Sequence, residues 1–222
     1  MNLPALVVLD LVGTTVLADD AVPRAFAAAV AAEGVTLSAA EIDAVRGATK
    51  RLALERLLPE TPDRAERVAR AYGVFLQRLR EAYTPATVSA VPGATEVMVG
   101  LRGRGVRVAL NTGFDRALTT HLLEALGWHD VADAVVCGDE VAAGRPSPYL
   151  IFRAMEATRV SAVQAVANVG DTALDLQAGA NAGVRWNIGV WSGAHARATL
   201  AAAPHTHLCA SVADVPELLG AR

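Results

Sequence analysis

From residue 90 onward, short apolar and β-branched runs alternate with longer segments whose apolar positions recur at helical spacing, which predicts βαβ units stacked around a parallel sheet. The runs predict strands at 5–9, 106–111, 134–137, 165–169, 184–190 and 207–209. Their apolar residues follow one another almost without interruption, as strands covered on both faces require. The long stretch between the first two strands has no strand pattern and is rich in Ala, Leu, Glu and Arg. Its periodicity predicts helices near 21–33, 38–46, 49–58 and 63–83, bounded by Pro85 and Pro92-Gly93. That is far more chain than one crossover needs. The expectation is an α/β protein with a doubly wound parallel sheet in residues 1–15 and 89–222 and an inserted α-helical domain in residues 16–88.

Composition narrows this without changing it. At 222 residues, 53% hydrophobic and 19% charged, the chain has enough apolar surface for one α/β core with a small insertion and too much for disorder. No apolar run approaches the roughly 18 residues of a transmembrane helix, and the run Leu3 to Leu9 has no basic flank and ends at Asp10, so neither a span nor a signal peptide is expected. A net charge of −3 argues against a nucleic-acid partner or a membrane surface, so an anionic ligand would need a local cationic site. Cys137 and Cys209 lie in apolar runs without metal-ligand spacing, the pattern of buried thiols in a cytoplasmic protein. Of 20 basic residues, all but Lys50 are arginine.

A doubly wound sheet binds ligands at the carboxyl ends of its strands. Four segments occupy such ends: Asp10-Leu11-Val12-Gly13-Thr14-Thr15, Asn111-Thr112-Gly113, Gly144-Arg145-Pro146, and Gly170-Asp171-Thr172 with Asp175. Two carboxylates, a hydroxyl and a strong cation form a setting for a divalent metal and a phosphoryl group, and Mg²⁺ is held by one or two carboxylates plus substrate oxygens. Singly, each residue also reads as a turn or helix cap.

In this order and spacing the segments "VLDLVGTT", "VALNTG", "GRPSP" and "VGDTALD" resemble the four loops of the haloacid dehalogenase superfamily, over the whole chain. The resemblance implies that the helical insert is a mobile cap. It implies that Asp10 is the nucleophile, and that Thr112, with Gly113, and Arg145 hold the phosphoryl group. Asp10, Asp171 and the Val12 backbone carbonyl would bind Mg²⁺, with Asp175 as an outer or alternative ligand, and dimers would form through the cap.

One departure is informative. Most phosphatases of this superfamily carry a second Asp two residues after the nucleophile, to protonate the departing alkoxide; here that residue is Val12. A dehalogenase also lacks this Asp, but it has no need of the metal site that Asp171 and Asp175 imply. Cleavage of a carbon–phosphorus bond needs an electron sink on the adjacent carbonyl instead of an acid, and a lysine imine supplies one. The chain is similar to the phosphonatase branch, the phosphonoacetaldehyde hydrolases, in "DLVGTT", in Arg145, and in the cap motif "RGATK". It differs from that branch at Arg46, Ala53 and Phe114, where Met, His and Tyr are the pattern.

Lys50, Leu54, Leu57 and Leu58 fall at i, i+4, i+7 and i+8, which puts Lys50 on an apolar stripe. Two readings follow: a nucleophilic amine whose pKa is depressed by the helix N-terminus, apolar surroundings and the cations Arg46 and Arg51, or a snorkelling lysine covering apolar surface. Only an amine, not a guanidinium, forms an imine. The expected activity is Mg²⁺-dependent cleavage of a carbonyl phosphonate through Asp10 and Lys50. Hydrolysis of a small phosphate ester is the alternative, followed by dehalogenation and a phosphate-binding protein without turnover. His195, His205, His207, Trp186 and Trp191 read as structural, with "WSGAH" able to reach a pocket rim, and Arg64, Arg67, Arg70, Arg78 and Arg80 read as a solvated helix face.

Overall fold

A computed structural model of the chain describes residues 3–18 and 20–221. Residues 1, 2, 19 and 222, which the expected domain limits include, lie outside the described residues. In chain order the elements are β1 (Leu6–Asp10), β2 (Val16–Leu17), α1 (Ala21–Ala31), α2 (Ala39–Asp43), α3 (Lys50–Leu57), α4 (Arg64–Ala82), β3 (Ser89–Ala90), α5 (Ala94–Gly103), β4 (Arg107–Asn111), α6 (Arg116–Ala125), β5 (Ala134–Val136), α7 (Tyr149–Thr158), β6 (Val166–Gly170), α8 (Ala173–Ala182), β7 (Trp186–Val190), α9 (Arg197–Ala201), β8 (His207–Cys209) and α10 (Val215–Leu218).

Six strands form one parallel sheet in the order β5-β4-β1-β6-β7-β8. All five residues of β1 are buried, which is why its sequence shows no alternation. Period 2 still operates inside it. Val7 and Leu9 pack with Met98 and Leu101 of α5 and Leu118 and Leu122 of α6, whereas Leu6 and Val8 pack with Leu150 and Ile151 of α7 and Ala178 of α8. Helices therefore cover both faces.

Successive strands are added outward from β1 in both directions, first through β4 and β5 and then through β6, β7 and β8. The strand order thus reverses at β1, and such a switch point opens a crevice at the carboxyl ends of the flanking strands. Asp10 stands there in register with Asn111 of β4, and Leu9 is in register with Val169 of β6.

The helices α1 to α4 leave and rejoin the sheet through a short antiparallel ribbon, Val16 with Ala90 and Leu17 with Ser89. Two residues per strand are too few to show alternation, so the sequence pattern does not announce it. On α4 the buried positions Val68, Ala71, Tyr72, Phe75 and Leu79 make one helical stripe. They meet Ala25, Phe26, Ala29 and Val30 of α1, with the Phe26 and Phe75 ring centroids 4.6 Å apart. The helix expected at 38–46 ends at Asp43, because Gly47 turns the chain with φ +84°. The basic face of α4 is only partly solvated: Arg67 and Arg70 both bond Glu33 beyond the end of α1. Among the described residues no helix is long and apolar enough to cross a membrane.

Phe75 is fully buried at the centre of the α1–α4 contact, so Phe75→Ala should lower the unfolding free energy by about 3–5 kcal/mol, read from the urea midpoint at unchanged slope. A loss below about 1 kcal/mol would show that the two helices do not depend on this packing.

Candidate active site

β1 ends at Asp10, and the chain must turn at once to reach β2. Gly13, at φ +96°, makes the turn; Thr15 closes it by donating its hydroxyl to the Asp10 carbonyl at 2.8 Å. A Cβ on Gly13 would overlap the Asp171 carboxylate, and so would one on Gly193. These two glycines let backbone pass on both sides of that side chain. Asp171 follows β6, where its carboxylate accepts from the Thr14 hydroxyl at 3.2 Å and the Ala194 amide at 2.6 Å. Asp175 belongs to the capping box of α8, accepting from the amide and hydroxyl of Thr172.

Arg145 joins the strand ends. Its Nη2 donates to Asp10 Oδ1 at 2.6 Å and to Asn111 Oδ1 at 2.5 Å, and its Nε meets Asp175 Oδ1 at 2.8 Å. One oxygen from each of Asp10, Asp171 and Asp175 lies within 4.8 Å of the others. Burial, against the opposing pull of Arg145, pushes the Asp10 carboxyl up to about 6. Burial, with repulsion from Asp10 and Asp175, pushes Asp171 up to about 8. The carboxylates are thus under-neutralised by the cations beside them, and their donors are hard oxygens. The Val12 carbonyl, beside the same cavity, accepts no hydrogen bond from the described residues. This donor set fits Mg²⁺.

A cavity of about 320 Å³ opens over this floor. The sheet side contributes Asp10, Thr112, Gly113, Arg145 and Asp171, and the helical segment contributes Phe26, Arg46 and Lys50. Lys50 is the first residue of α3 and partly buried; its Nζ donates to the Ala48 carbonyl at 3.2 Å and lies 5.1 Å from the Phe114 ring centroid and 5.9 Å from that of Phe26. Burial and then Arg145 lower its pKa to about 8, against the attraction of Asp10, Asp175 and Asp171. The depressing cation is Arg145 and not, as the helix spacing had implied, Arg46 or Arg51. Arg46 is bonded to Asp43 at 2.6 Å, and Arg51 lies over the Tyr72 ring.

All eight residues singled out in the sequence, Asp10, Val12, Lys50, Thr112, Gly113, Arg145, Asp171 and Asp175, fall at this one end of the sheet, seven of them on the cavity wall and Asp175 behind Arg145. Sequence reasoning did not assign Thr14, Thr15, Asn111 or Ala194. The first three stand inside quoted loops and could have been found there, whereas the Ala194 amide carries no side-chain signal. His195, read from the sequence as structural, accepts at Nδ1 from the Ala173 amide at the start of α8. Ser192, Gly193 and Ala194 do reach the cavity rim.

The family model for haloacid dehalogenase-like hydrolases matches residues 4–183. Phosphonoacetaldehyde hydrolase of Syntrophobacter fumaroxidans is 34% identical over 200 residues, covering 83% of this chain and 71% of that protein. The enzyme of the same description from Paraburkholderia xenovorans is 31% identical over 130 residues, 58% of this chain and 48% of that protein, so the match spans about half of its length. The crystal structure of a phosphonoacetaldehyde hydrolase-like protein from Oleispira antarctica has the same fold, with TM-score 0.83 over 98% of this chain and 91% of that one at 21% identity. A family match running from β1 through α8, joined to a relative sharing a third of its residues over most of both chains, means that this chain belongs to the haloacid dehalogenase-like hydrolases, in their phosphonatase-like branch.

Proposed function

We propose that this hydrolase cleaves the carbon–phosphorus bond of phosphonoacetaldehyde or a related carbonyl phosphonate, using Lys50 as an imine-forming amine and Asp10 as the nucleophile. The observation that carries the reading is the depressed Lys50 amine in the same cavity as the Asp10 carboxylate, with Val12 where an ester hydrolase needs an acid. The similarity to phosphonoacetaldehyde hydrolases supports it. In this reading residues 16–88 are a cap over a core of residues 1–15 and 89–222.

The neutral Lys50 amine adds to the substrate carbonyl, and the adduct takes up one proton from solvent and loses water to give a protonated imine. Asp10 then attacks phosphorus. The carbon–phosphorus electron pair moves into the iminium, leaving a neutral enamine on Lys50 and a phosphoryl group on Asp10. No alkoxide leaves, so an apolar Val12 suffices. Water hydrolyses the phosphoaspartate; protonation of the enamine at carbon and hydrolysis of the imine release the aldehyde and restore the amine. Arg145 and Thr112, with the Gly113 backbone, would hold the phosphoryl oxygens. Asp10, Asp171 and the Val12 carbonyl would bind Mg²⁺, with Asp175 farther out; the ion supplies charge neutralisation that lets a phosphonate dianion approach the carboxylates. The competing reading is a phosphomonoesterase; it would need an acid that the residues lining the cavity beside Asp10 do not provide in Val12.

Four outcomes test this. Asp171→Ala, and chelation of the wild type, should each lower phosphate release from phosphonoacetaldehyde by a hundredfold or more, on the order expected for losing a site's principal charge stabiliser; full activity in excess EDTA would return the site to a dehalogenase. Borohydride added with substrate should inactivate the enzyme, with the mass adduct mapped to Lys50, and Lys50→Arg should abolish turnover while retaining phosphate binding. Because the amine acts neutral and its pKa is about 8, kcat/KM at saturating Mg²⁺, which keeps Asp171 ionised, should rise about tenfold per pH unit below 8 and level above it; a profile that instead falls above pH 8 would speak for a charge clamp. Val12→Asp should lose phosphonate turnover and gain aryl phosphate hydrolysis, and a variant better on both substrates would show the acid-free logic to be wrong.

A further inference from the structure

Lys50 reaches the cavity at the end of a passage, Gly47-Ala48-Thr49-Lys50, that runs hard against the loops of the sheet. A Cβ on Gly113 would stand 2.9 Å from the Ala48 carbonyl oxygen, closer than real Cβ atoms come. A Cβ on Gly138 would stand 3.2 Å from Thr49 Cγ2, and one on Gly144 would collide with the same methyl. The slot that receives this methyl is therefore open because Gly144 has no side chain, with Gly138, in the same loop between β5 and α7, fitting closely on its other side. Gly113 directly follows Thr112, and Gly144 directly precedes Arg145. The passage is thus gauged against backbone that adjoins Thr112 and Arg145, the two side chains assigned to the phosphoryl group.

Thr49 is also the N-cap of α3, with extended backbone at φ −60° and ψ 143°, yet its hydroxyl makes no capping hydrogen bond. Capping is the usual reason for a hydroxyl residue at this place, and serine, aspartate or asparagine serve it as well as threonine. None of those three brings a γ-methyl. What Thr49 contributes here is the methyl in the glycine slot.

We infer that Thr49 is a positioning residue, whose γ-methyl, seated between Gly138 and Gly144, fixes the 47–50 passage against the phosphoryl-binding loops and so aims the Lys50 amine at the substrate carbonyl. The inference rests on the imine reading of Lys50. Near-attack geometry is steep in distance, so an amine displaced by about 1 Å costs up to a hundredfold in rate while substrate binding through the phosphoryl group changes little. Thr49 then acts on kcat and imine formation, and not on KM.

Valine keeps the methyl and loses the hydroxyl; serine does the reverse. Thr49→Ser should trap with borohydride and turn over phosphonoacetaldehyde roughly 10- to 100-fold more slowly, with KM within about threefold of wild type. Thr49→Val should stay within about threefold of wild type in all three. Gly144→Ala, which fills the slot from the other side, should behave as Thr49→Ser. Hydrogen exchange of the amides of residues 47–54, which needs no chemistry, should quicken in Thr49→Ser and Gly144→Ala but not in Thr49→Val. Equal trapping in Thr49→Ser and wild type, or a Thr49→Val as slow as Thr49→Ser, overturns the inference. No trapping in the wild type removes the imine itself, and the positioning role with it, and the exchange data then report separately whether the methyl seats the passage.

Discussion

Three carboxylates buried at one end of a sheet would repel one another and resist leaving water, and the arrangement around Asp10, Asp171 and Asp175 is shaped by that cost. A single guanidinium, itself buried, spans Asp10 and Asp175 and donates a third bond to Asn111 Oδ1. Backbone amides and hydroxyls supply the rest, from Thr172 to Asp175 and from Ala194 and Thr14 to Asp171. Such a cluster is tolerable only where the backbone can crowd in to donate, which is why glycines stand at 13 and 193. Removing one cation from this set would leave an uncompensated buried charge, so the cluster and Arg145 stand or fall as a unit.

How much of this was legible beforehand follows from which interactions are local. The sheet was legible because strands buried on both faces announce themselves as unbroken apolar runs, and Asp10, Thr112 and Asp171 because strand ends follow directly from the strands. The β2–β3 ribbon was not, since two residues have no period. Strand limits moved by one or two residues: β1 runs on to Asp10 itself, since a parallel partner at Asn111 carries the ladder one residue past the apolar run. The cation that tunes Lys50 was misread for a related reason. Arg46 and Arg51 are its neighbours along the chain, but Arg145 lies 95 positions away in sequence and is brought close only by the tertiary fold.

The helical segment is attached to the sheet by contacts of different kinds. Tyr72 of α4 donates to Asp115, the N-cap of α6, at 2.6 Å, and the ring of His121 bonds the Tyr83 carbonyl at 2.8 Å. These polar links lie away from the carboxylates. At the cavity the contact is steric, through Ala48 and Thr49 against backbone, with aromatic rings from both sides, Phe26 and Phe114, flanking the same amine. The segment is thus held to the sheet by hydrogen bonds at Asp115 and His121 and by close steric contact beside the amine.

The seclusion of Lys50 has a practical side as well. It is the only lysine of the chain, and it lines the cavity, so the outer surface presents its positive charge as guanidinium groups. Lysine-directed crosslinkers, acyl tags or immobilisation resins find no lysine handle on the exterior. With this protein their reaction at Lys50, told apart from the α-amine by peptide mapping, becomes a gauge of how readily the cavity admits a molecule of their size.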